Sequence, residues 1–495
     1  MAIDRRRFLK GAAGAVAGIG TASILPVPDP PAAPSGRDYD VPSSLLVDRV
    51  VRTTCSPNCT GSCGQLAFVR DGVIVKIQQA ADYPDPAYNP RGCMKGLSYI
   101  NHVYGDDRIR TPLIRTGERG SGEFREATWD EVLDRIAGDL SRIGETWGWD
   151  TVHVFGQVPG SGYIQKGANY RASAALGLTH GTSFDFNGDL PMGMPITFGV
   201  QNAEHEAKDW ANSRFLLLVG SNPVETRIPD VHFIFDALEK GARLVVIDPS
   251  FSPTAAKADA HLRIKPGTDA ALALALCRQV VEDGAWDADF MRAYTDAPLL
   301  VRADTGVRLR EADLVVGGAA DRFVAWDEAA GAPVVVGTDR LGYPPGSRPA
   351  LESVHRITLA DKSAADATPG FALVRAELDR WTPEAAEAVT GVPAEMIVKV
   401  ARAYAAAQPA AILMGGGSNH WYHGDLTGRA FALLAALTGN IGKSGGGFSV
   451  YVGQYKVRVN TAPWWNAGET KAKVVPSVYF VRGRTETMHP DVPYP

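Results

Sequence analysis

The chain has little cysteine, no excess of positive charge and no long apolar run beyond its first 25 residues. Only 5 of its 495 residues are cysteine, and a chain of this length buries a core without a disulfide framework. Its formal net charge is -5, which gives no sign of a nucleic-acid-binding surface. No internal repeat is visible, and no later stretch of about 18 apolar residues predicts a membrane span. The composition is that of an ordinary soluble globular protein of several domains.

Four of the five cysteines are spaced as metal ligands. Cys55, Cys59 and Cys63 follow one another with three residues between them, and Cys93 comes later in the segment NPRGCMKG. Four thiolates are the usual ligands of a 4Fe–4S cluster. Structural zinc more often uses C-x2-C pairs, and two disulfides are a further alternative. The spacing therefore favours a cluster but leaves zinc and disulfides open, while Cys277 is expected to be a core residue.

The N-terminus has the pattern of a twin-arginine export signal. Arg5 and Arg6 precede a weakly apolar run over 11–25, which is too short and too poor in large side chains to predict a membrane span. The proline-rich stretch 26–36 is typical of a flexible linker. We expect residues 1–36 to be signal and linker, and the protein to work in the periplasm or at the outer face of the cytoplasmic membrane. A basic N-terminal helix is the alternative interpretation.

Strands and helices alternate from Trp129 onward. The stretches 214–222 and 242–250 are continuously apolar, as buried strands of a parallel sheet are. A third apolar stretch, AAILM, runs into a glycine-rich loop. This alternation predicts an α/β, doubly wound, Rossmann-like architecture that binds its ligand at the carboxyl ends of the strands. Residues 299–370, rich in glycine, proline and alanine, are predicted to form an insertion of short strands and loops.

Turns of one chemical kind follow these strands, with the sequences GSNPVETR, DPSFSPTAAKAD and GGGSN. Such turns let backbone N–H groups approach phosphates, helped by the N-terminus of the next helix. Asp248 and Asp269 have the chemistry to accept hydrogen bonds from a purine. Each turn alone is common as a mere turn. Several on one α/β scaffold predict a large nucleotide cofactor that bears phosphate.

Taken together, these motifs resemble the dimethyl sulfoxide reductase family of molybdenum enzymes, which carry bis-molybdopterin guanine dinucleotide. The cysteine set, CMKG, GSNPVETR, KPGTDAALALAL and LTGNIGKSGGG occur in the family's order from about residue 50 to about residue 460. SFDFNGDLPMGMPITFG and GGGSNHWYHGDL are similar to catalytic subunits of the nitrate reductase branch. That branch includes selenate and chlorate reductases, dimethyl sulfide dehydrogenase and ethylbenzene dehydrogenase. CSPNCTGSCG is most similar to the exported selenate and chlorate members.

The resemblance implies a role for each residue of these motifs. Lys95 is expected to lie between cluster and pterin and to ease electron passage, and Asp189 to ligate molybdenum, with Asp185 as the fallback. Outside the family, an Asp in GDLP is more often a turn residue. His420 and His423 are spaced like metal ligands but are expected to form hydrogen bonds. The expected cluster ligands are Cys55, Cys59, Cys63 and Cys93. The residues expected along one guanine dinucleotide are Asn222, Glu225, Thr226 and Arg227, and those expected at its purine end are Asp248, Gly267, Thr268 and Asp269. The residues expected at the pterin or the substrate funnel are Gly416, Gly417, Asn419, His420 and His423.

The same resemblance implies a function and a domain organisation. We expect the catalytic alpha subunit of an exported molybdenum oxidoreductase that transfers an oxygen atom, most consistent with reduction of selenate, chlorate or nitrate in anaerobic respiration. The alternatives are a dehydrogenase of a sulfide or hydrocarbon and a molybdenum-free electron-transfer subunit. Expected partners are an iron–sulfur beta subunit, a haem b gamma subunit and a cytoplasmic insertion chaperone. We expect a 4Fe–4S domain at 45–115 and a molybdopterin-binding region at 116–495, which lacks the family's C-terminal dinucleotide domain and is therefore a fragment, a split gene product or a truncated protein.

Overall fold

A computed structural model describes residues 46–55, 63–82, 92–156, 163–182, 193–199, 206–337 and 342–450. The described residues form two compact units, with the boundary between residues 186 and 187. We call the described residues up to 182 the N-terminal unit and those from 193 the C-terminal unit. The arginine pair, Cys59, Asp185 and Asp189 lie outside the described residues. Within the described ranges, no helix has the length and apolarity needed to cross a membrane.

The strands are numbered in chain order. In the N-terminal unit they are β1 Arg49–Thr54, β2 Gly64–Arg70, β3 Val73–Gln79, β4 Leu113–Arg115, β5 Phe124–Glu126, β6 His153–Gly156 and β7 Thr179–Thr182. In the C-terminal unit they are β8 Phe215–Val219, β9 Arg243–Ile247, β10 Ala260–Leu262, β11 Leu300–Arg302, β12 Val324–Asp327, β13 Ala332–Val335, β14 His355–Thr358, β15 Ala364–Pro369, β16 Ala410–Met414 and β17 Gly447–Val450.

The helices follow the same division. In the N-terminal unit they are Met94–Leu97, Tyr99–Val103, Trp129–Trp147 and Tyr163–Leu176. In the C-terminal unit they are Gly193–Phe198, Pro223–Thr226, Val231–Glu239, Asp269–Glu282, Ala288–Tyr294, Glu311–Leu314, Gly370–Leu378, Pro383–Thr390, Ala394–Ala406 and Gly424–Leu437. Short 3-10 turns lie at Trp149–Thr151, Ala207–Asn212, Ala255–Lys257 and Gly416–Ser418.

A five-stranded parallel sheet organises the C-terminal unit, with strand order β10-β9-β8-β16-β17. All five residues of β8 are buried, so the strand is covered on both faces. Leu216 and Leu218 pack into the core that holds the helix Val231–Glu239. Leu217 points the other way, into the larger core that holds the helices Asp269–Glu282 and Gly424–Leu437. Because side chains alternate across a strand, the continuous apolar run feeds two helical layers, and the doubly wound prediction is confirmed.

The order of the strands fixes where a ligand binds. From β8 the chain adds β9 and β10 on one side, and later adds β16 and β17 on the other. The order therefore reverses between β8 and β16. In open α/β sheets the crevice at such a reversal, outside the carboxyl ends of the strands, is the usual ligand site.

The segment 299–370 is an insertion of short strands, as predicted. An antiparallel sheet joins β11, β15 and β14, and a hairpin joins β12 to β13. Leu300, Val324 and Ile357 belong to a small core of its own.

Antiparallel strands β1, β2 and β3 form the sheet of the N-terminal unit. In β2 every second residue is buried, which is the pattern of a strand with one covered face. The helix Trp129–Trp147 is capped at its N-terminus by Thr128, whose Oγ1 accepts a hydrogen bond from the Glu131 backbone N–H at 3.2 Å.

Candidate functional site

Two cysteines of the predicted ligand set lie at the end of the β1–β2 ladder. Cys55 follows β1 and Cys63 precedes β2, and the Cys55 N–H donates to the Cys63 carbonyl at 2.8 Å. Both are buried, with exposed fractions of 7% and 4%. The ladder thus holds two thiols on either side of residues 56–62, which lie outside the described residues.

Cys93 is brought to the same region by the helix Met94–Leu97, which begins at it. A Cβ atom added to Gly96 would lie 3.1 Å from the Cys55 Sγ and 2.8 Å from the Nε2 of buried Gln65. Only glycine therefore lets this helix approach the Cys55 thiol so closely. Gly96 belongs to the CMKG motif, and no pattern along the chain predicts this packing role.

The described thiols suit a cluster rather than a disulfide framework. None of Cys55, Cys63 and Cys93 is in a disulfide. Soft sulfur donors are the ligands that an iron–sulfur cluster uses. Among the residues that the structure describes, no three His, Cys, Asp or Glu side chains converge to hold a single metal ion, and Cys59 is not among those residues. Lys95 is exposed on the helix that follows Cys93, and its place between cluster and pterin stays a prediction.

In the C-terminal unit, two glycine turns cross at the reversal point of the sheet. The Gly415 N–H donates to the Val219 carbonyl at 2.7 Å, so the turn after β16 lies on the end of β8. A Cβ on Gly415 would come within 2.0 Å of the Gly220 carbonyl oxygen. Gly220 itself has φ +55°. The crossing therefore requires glycine, and it lies at the carboxyl ends of β8 and β16, the edge of an open α/β sheet where ligands usually bind.

The turn after β8 is fastened to the turn after β9 by a threonine. Thr254 Oγ1 donates to the Asn222 Oδ1 at 2.6 Å and accepts from the Val224 N–H at 3.2 Å. Thr254 is buried, and sequence reasoning missed it because nothing along the chain marks this pairing. The Asn222 Nδ2 donates to Glu225. These bonds hold Asn222 in place for a ligand in the crevice.

The rest of the predicted Asn222 group is less uniform. Glu225 and Thr226 are exposed. The Arg227 guanidinium lies 5.8 Å from the centre of the buried Trp210 ring, a cation–π contact. The structure thus places all four predicted residues on one turn, with Arg227 directed partly against the core.

Two acidic side chains interact electrostatically on the β9 side of the site. Asp248 directly follows β9, and its Oδ1 accepts from the Ser250 N–H at 2.8 Å. Asp269 is the first residue of the helix Asp269–Glu282 and is only 6% exposed. Burial, together with the negative charge of Asp248, raises the pKa of Asp269 to about 6. The two carboxyl groups are hydrogen-bond acceptors. A ligand with N–H donors would stabilise them in the ionised form.

The loop after β16 carries the predicted pterin and substrate residues. Asn419 is buried, whereas His420 and His423 are exposed. His423 has φ +60° and starts the helix Gly424–Leu437. A Cβ on Gly424 would come within 2.3 Å of the Asn419 carbonyl oxygen, so the loop is tightly folded. The same loop places the Trp421 ring against Gly267, a contact that sequence reasoning missed because the two motifs are far apart in the chain.

The segment with Asp185 and Asp189 is followed by a close helix crossing. The first residue described after it is Gly193, and a Cβ there would lie 2.7 Å from the Gly428 Cα. Glycines on both helices thus fix the helix Gly193–Phe198 on the helix that leaves the histidine loop. Molybdenum ligation by Asp189 stays a prediction.

Comparison with protein families decides what these sites are. Residues 108–489 match the model of the molybdopterin oxidoreductase family, and residues 48–105 match its Fe4S4 domain. The chain belongs to the molybdopterin oxidoreductase family. Its cysteine unit is the iron–sulfur part of that family, so its cofactors are a 4Fe–4S cluster and a molybdopterin that carries molybdenum. The resemblance to the nitrate reductase-like branch is also confirmed.

Curated relatives of this family member are subunits of larger enzymes. The perchlorate reductase subunit alpha of Dechloromonas aromatica is 39% identical over 439 residues, 83% of this chain and 47% of the relative. The respiratory nitrate reductase subunit alpha of Haloferax mediterranei is 35% identical, and the match covers 92% of this chain and 50% of the relative. The dimethylsulfide dehydrogenase subunit alpha of Rhodovulum sulfidophilum is 33% identical, and the match covers 79% of this chain and 43% of the relative. The chain spans about half the length of these relatives.

A solved structure shares the fold of the molybdopterin oxidoreductase region. Acetylene hydratase from Pelobacter acetylenicus superimposes with a TM-score of 0.52 at 20% sequence identity, over 79% of this chain and 43% of that one. At this identity the likeness concerns the fold alone.

Proposed function

We propose that the chain is the cofactor-bearing part of the catalytic subunit of an exported oxyanion reductase. The observation that carries the proposal is the glycine crossing at the sheet reversal, where the backbones of Gly220 and Gly415 meet. One side of the crossing leads to the Asp248–Asp269 pair and the other to the loop of His420 and His423. A dinucleotide with a pterin at one end and a purine at the other matches this layout.

The residues around the crossing divide the work of holding the cofactor, proposed as bis-molybdopterin guanine dinucleotide. Backbone N–H groups of the turns from Asn222 and Gly416 contact its phosphates, with Glu225, Thr226 and Arg227 beside them. Asp248 and Asp269 accept hydrogen bonds from the purine, and Gly267 and Thr268 line that end. When bound, the cofactor supplies two-electron oxygen-atom transfer.

Side chains on the loop after β16 are proposed to serve the substrate. His420 and His423 are exposed, and an imidazole is the side chain best suited to donate to an anion and to supply protons near neutral pH. Gly417 and Asn419 shape the same loop. Asp189 is proposed as the ligand from the protein to molybdenum, a hard carboxylate donor that suits a high-valent metal.

Electrons are proposed to enter through the cluster held by Cys55, Cys59, Cys63 and Cys93, with Lys95 beside it. An iron–sulfur beta subunit is the proposed donor, which the name "subunit alpha" of the relatives supports. A haem b subunit and an insertion chaperone are further proposed partners. The Arg5–Arg6 pair supports export by the twin-arginine route, and hence a place in the periplasm.

Viologen-linked reduction tests this proposal. The purified protein, with its partner subunits, is given reduced methyl viologen and perchlorate, chlorate, nitrate or selenate in turn. We expect turnover of at least one oxyanion, and a parallel loss of turnover in His420→Ala. Dye-linked oxidation of dimethyl sulfide without turnover of any oxyanion would favour a dehydrogenase, the second candidate, which one relative supports. Iron-bearing protein with neither activity would favour an electron-transfer subunit.

A further inference from the structure

One aromatic side chain reaches across the carboxyl edge of the main sheet. Trp421 belongs to the loop after β16, yet its ring contacts Gly267 in the turn after β10. In the sheet, β8 and β9 lie between these two strands. Neighbouring strands are about 4.8 Å apart, so the contact bridges roughly 14 Å of sheet edge. The loop that starts at the glycine crossing therefore ends over the purine side of the site.

The contact between Trp421 and Gly267 is close and demands glycine. A Cβ on Gly267 would lie 3.0 Å from Cδ2, 3.1 Å from Cε3 and 3.4 Å from Cγ of the indole. Gly267 also has φ +78°, a backbone conformation that side chains disfavour. The indole thus rests on bare backbone, while 48% of Trp421 stays exposed. An aromatic surface is left available next to the turn.

The turn beneath the indole leads to a buried acidic side chain. Gly267 stands two residues before Asp269, which is the first residue of the helix Asp269–Glu282 and is 6% exposed. The Thr268 Oγ1 donates to the Lys265 carbonyl at 2.7 Å and closes the turn. A half-exposed aromatic ring on a turn that leads to a carboxyl group is suited to a flat heterocycle with N–H donors on its edge.

We propose that Trp421 is a positioning residue for the nucleotide end of the cofactor. It holds the turn from Lys265 to Asp269 against the histidine loop and covers the base that the two carboxyl groups bind. It does not touch the reacting atoms, so its role is retention and orientation of the dinucleotide. This inference rests on the proposed function, because the base belongs to the proposed cofactor.

Three substitutions at one position separate stacking from simple bulk. Trp421→Phe keeps a flat ring, Trp421→Leu keeps apolar volume without one, and Trp421→Ala removes both. The matched control is Tyr422→Ala, because Tyr422 is the next residue of the loop and is 91% exposed. Each holoprotein is incubated under dilution and passed over a desalting column at intervals. Molybdenum, iron and the guanosine monophosphate released by acid hydrolysis are then measured per chain.

We expect the alanine and leucine variants to lose molybdenum and nucleotide about tenfold faster than the wild type, since a base–aromatic stack is worth about this much. Iron stays unchanged, the phenylalanine variant recovers most of the retention, and Tyr422→Ala behaves as the wild type. Gly267→Ala, which pushes the indole away, gives the same loss. If the alanine variant does not fold, the comparison of phenylalanine with leucine carries the test.

Equal retention in the phenylalanine and leucine variants overturns the inference, and so does a parallel loss of iron, which would mean a general role in folding. Failure of the proposed function has a different signature. A wild-type protein that holds iron but no molybdenum contradicts the proposed function and the inference together, whereas full molybdenum with unaffected retention contradicts the inference alone.

Discussion

The two units differ in what fills their interiors. Among the residues of the N-terminal unit whose side chains the structure describes, no buried apolar side chain is larger than that of Val69, and two of the buried residues are Cys55 and Cys63. In the C-terminal unit the fully buried side chains include Trp210, Phe215 and Tyr404. Burying a large apolar side chain contributes roughly 1.5–3 kcal/mol, so the second unit has a large apolar contribution that the described part of the first lacks.

This contrast indicates how each unit is stabilised. Thiols near the base of a small sheet stabilise it chiefly when they bind a metal centre, as in other small metal-binding domains. A parallel sheet covered on both faces is stable through apolar burial alone. Loss of the cluster and damage to the apolar core should therefore act on different units.

The largest effect is expected from removing a cluster ligand. In Cys63→Ala we expect loss of most of the iron and at least a roughly tenfold faster proteolytic cleavage within 46–115, because the metal no longer stabilises the fold. Iron analysis and mass spectrometry of the fragments measure both. The matched control is Cys277→Ala, because Cys277 is a buried cysteine of the C-terminal unit. This variant protein should keep its iron. Full iron content and unchanged cleavage in Cys63→Ala would mean that this unit does not depend on the cluster.

A core substitution should show the reverse pattern. Leu217 is 0% exposed in the central strand of the main sheet, so Leu217→Ala should destabilise the C-terminal unit by about 2–5 kcal/mol. Chemical denaturation of the C-terminal unit, followed while iron absorbance is recorded, measures this change. Leu373→Ala is the control, because this side chain is 47% exposed. An equal fall in iron content would show that the two units do not respond separately.

A pH-dependent effect is expected at the buried acid. The pKa of Asp269 lies at about 6 in the fold against 3.8 for an ordinary Asp, so the folded state binds more protons between these values. The unfolding free energy of the cofactor-free protein should therefore fall as the pH rises from about 4 to about 6, by at most roughly 3 kcal/mol. Asp269→Asn removes this loss. The unfolding free energy of the variant should therefore exceed that of the wild type above pH about 6 and match it below pH about 4. A stability difference that does not vary with pH would rule out this origin.

The smallest effect on stability, with a clear effect on the cofactor, is expected at the glycine crossing. In Gly415→Ala the new methyl group meets the Gly220 carbonyl, which should cost about 1–3 kcal/mol and open the crevice. Molybdenum should be lost while iron stays. Gly417→Ala is the stability control, since its added Cβ would lie at an ordinary 3.7 Å from the same oxygen. Retention of molybdenum in Gly415→Ala would place the cofactor elsewhere.

Local features of the fold could be predicted from the sequence. The apolar stretches at 214–222 and 242–250 predicted buried strands, and the structure has β8 and β9 there. The helix start at Thr128 was predictable because a cap involves neighbours only three residues apart. Such signals lie within one element and need no knowledge of the rest of the chain.

The arrangement of the site was harder to predict from the sequence. The contact of Trp421 with Gly267 and the bond of Thr254 to Asn222 join residues that are distant in sequence, and they depend on strand order. Strand order depends on packing of the whole unit, which no local pattern records. The roles of Asp189 and Lys95 came from resemblance to the family, because an aspartate in a turn and a lysine in a short helix have no chemical signature of their own.

Metal analysis of the purified chain distinguishes a molybdenum enzyme from an electron-transfer subunit. Since a 4Fe–4S cluster holds four irons and one molybdenum is expected per cofactor, we expect about four iron atoms and about one molybdenum atom per chain, after the iron of any partner subunit is subtracted. Guanosine monophosphate should be released in proportion to molybdenum. Iron without molybdenum in the assembled protein would contradict the account and leave the chain an electron-transfer subunit.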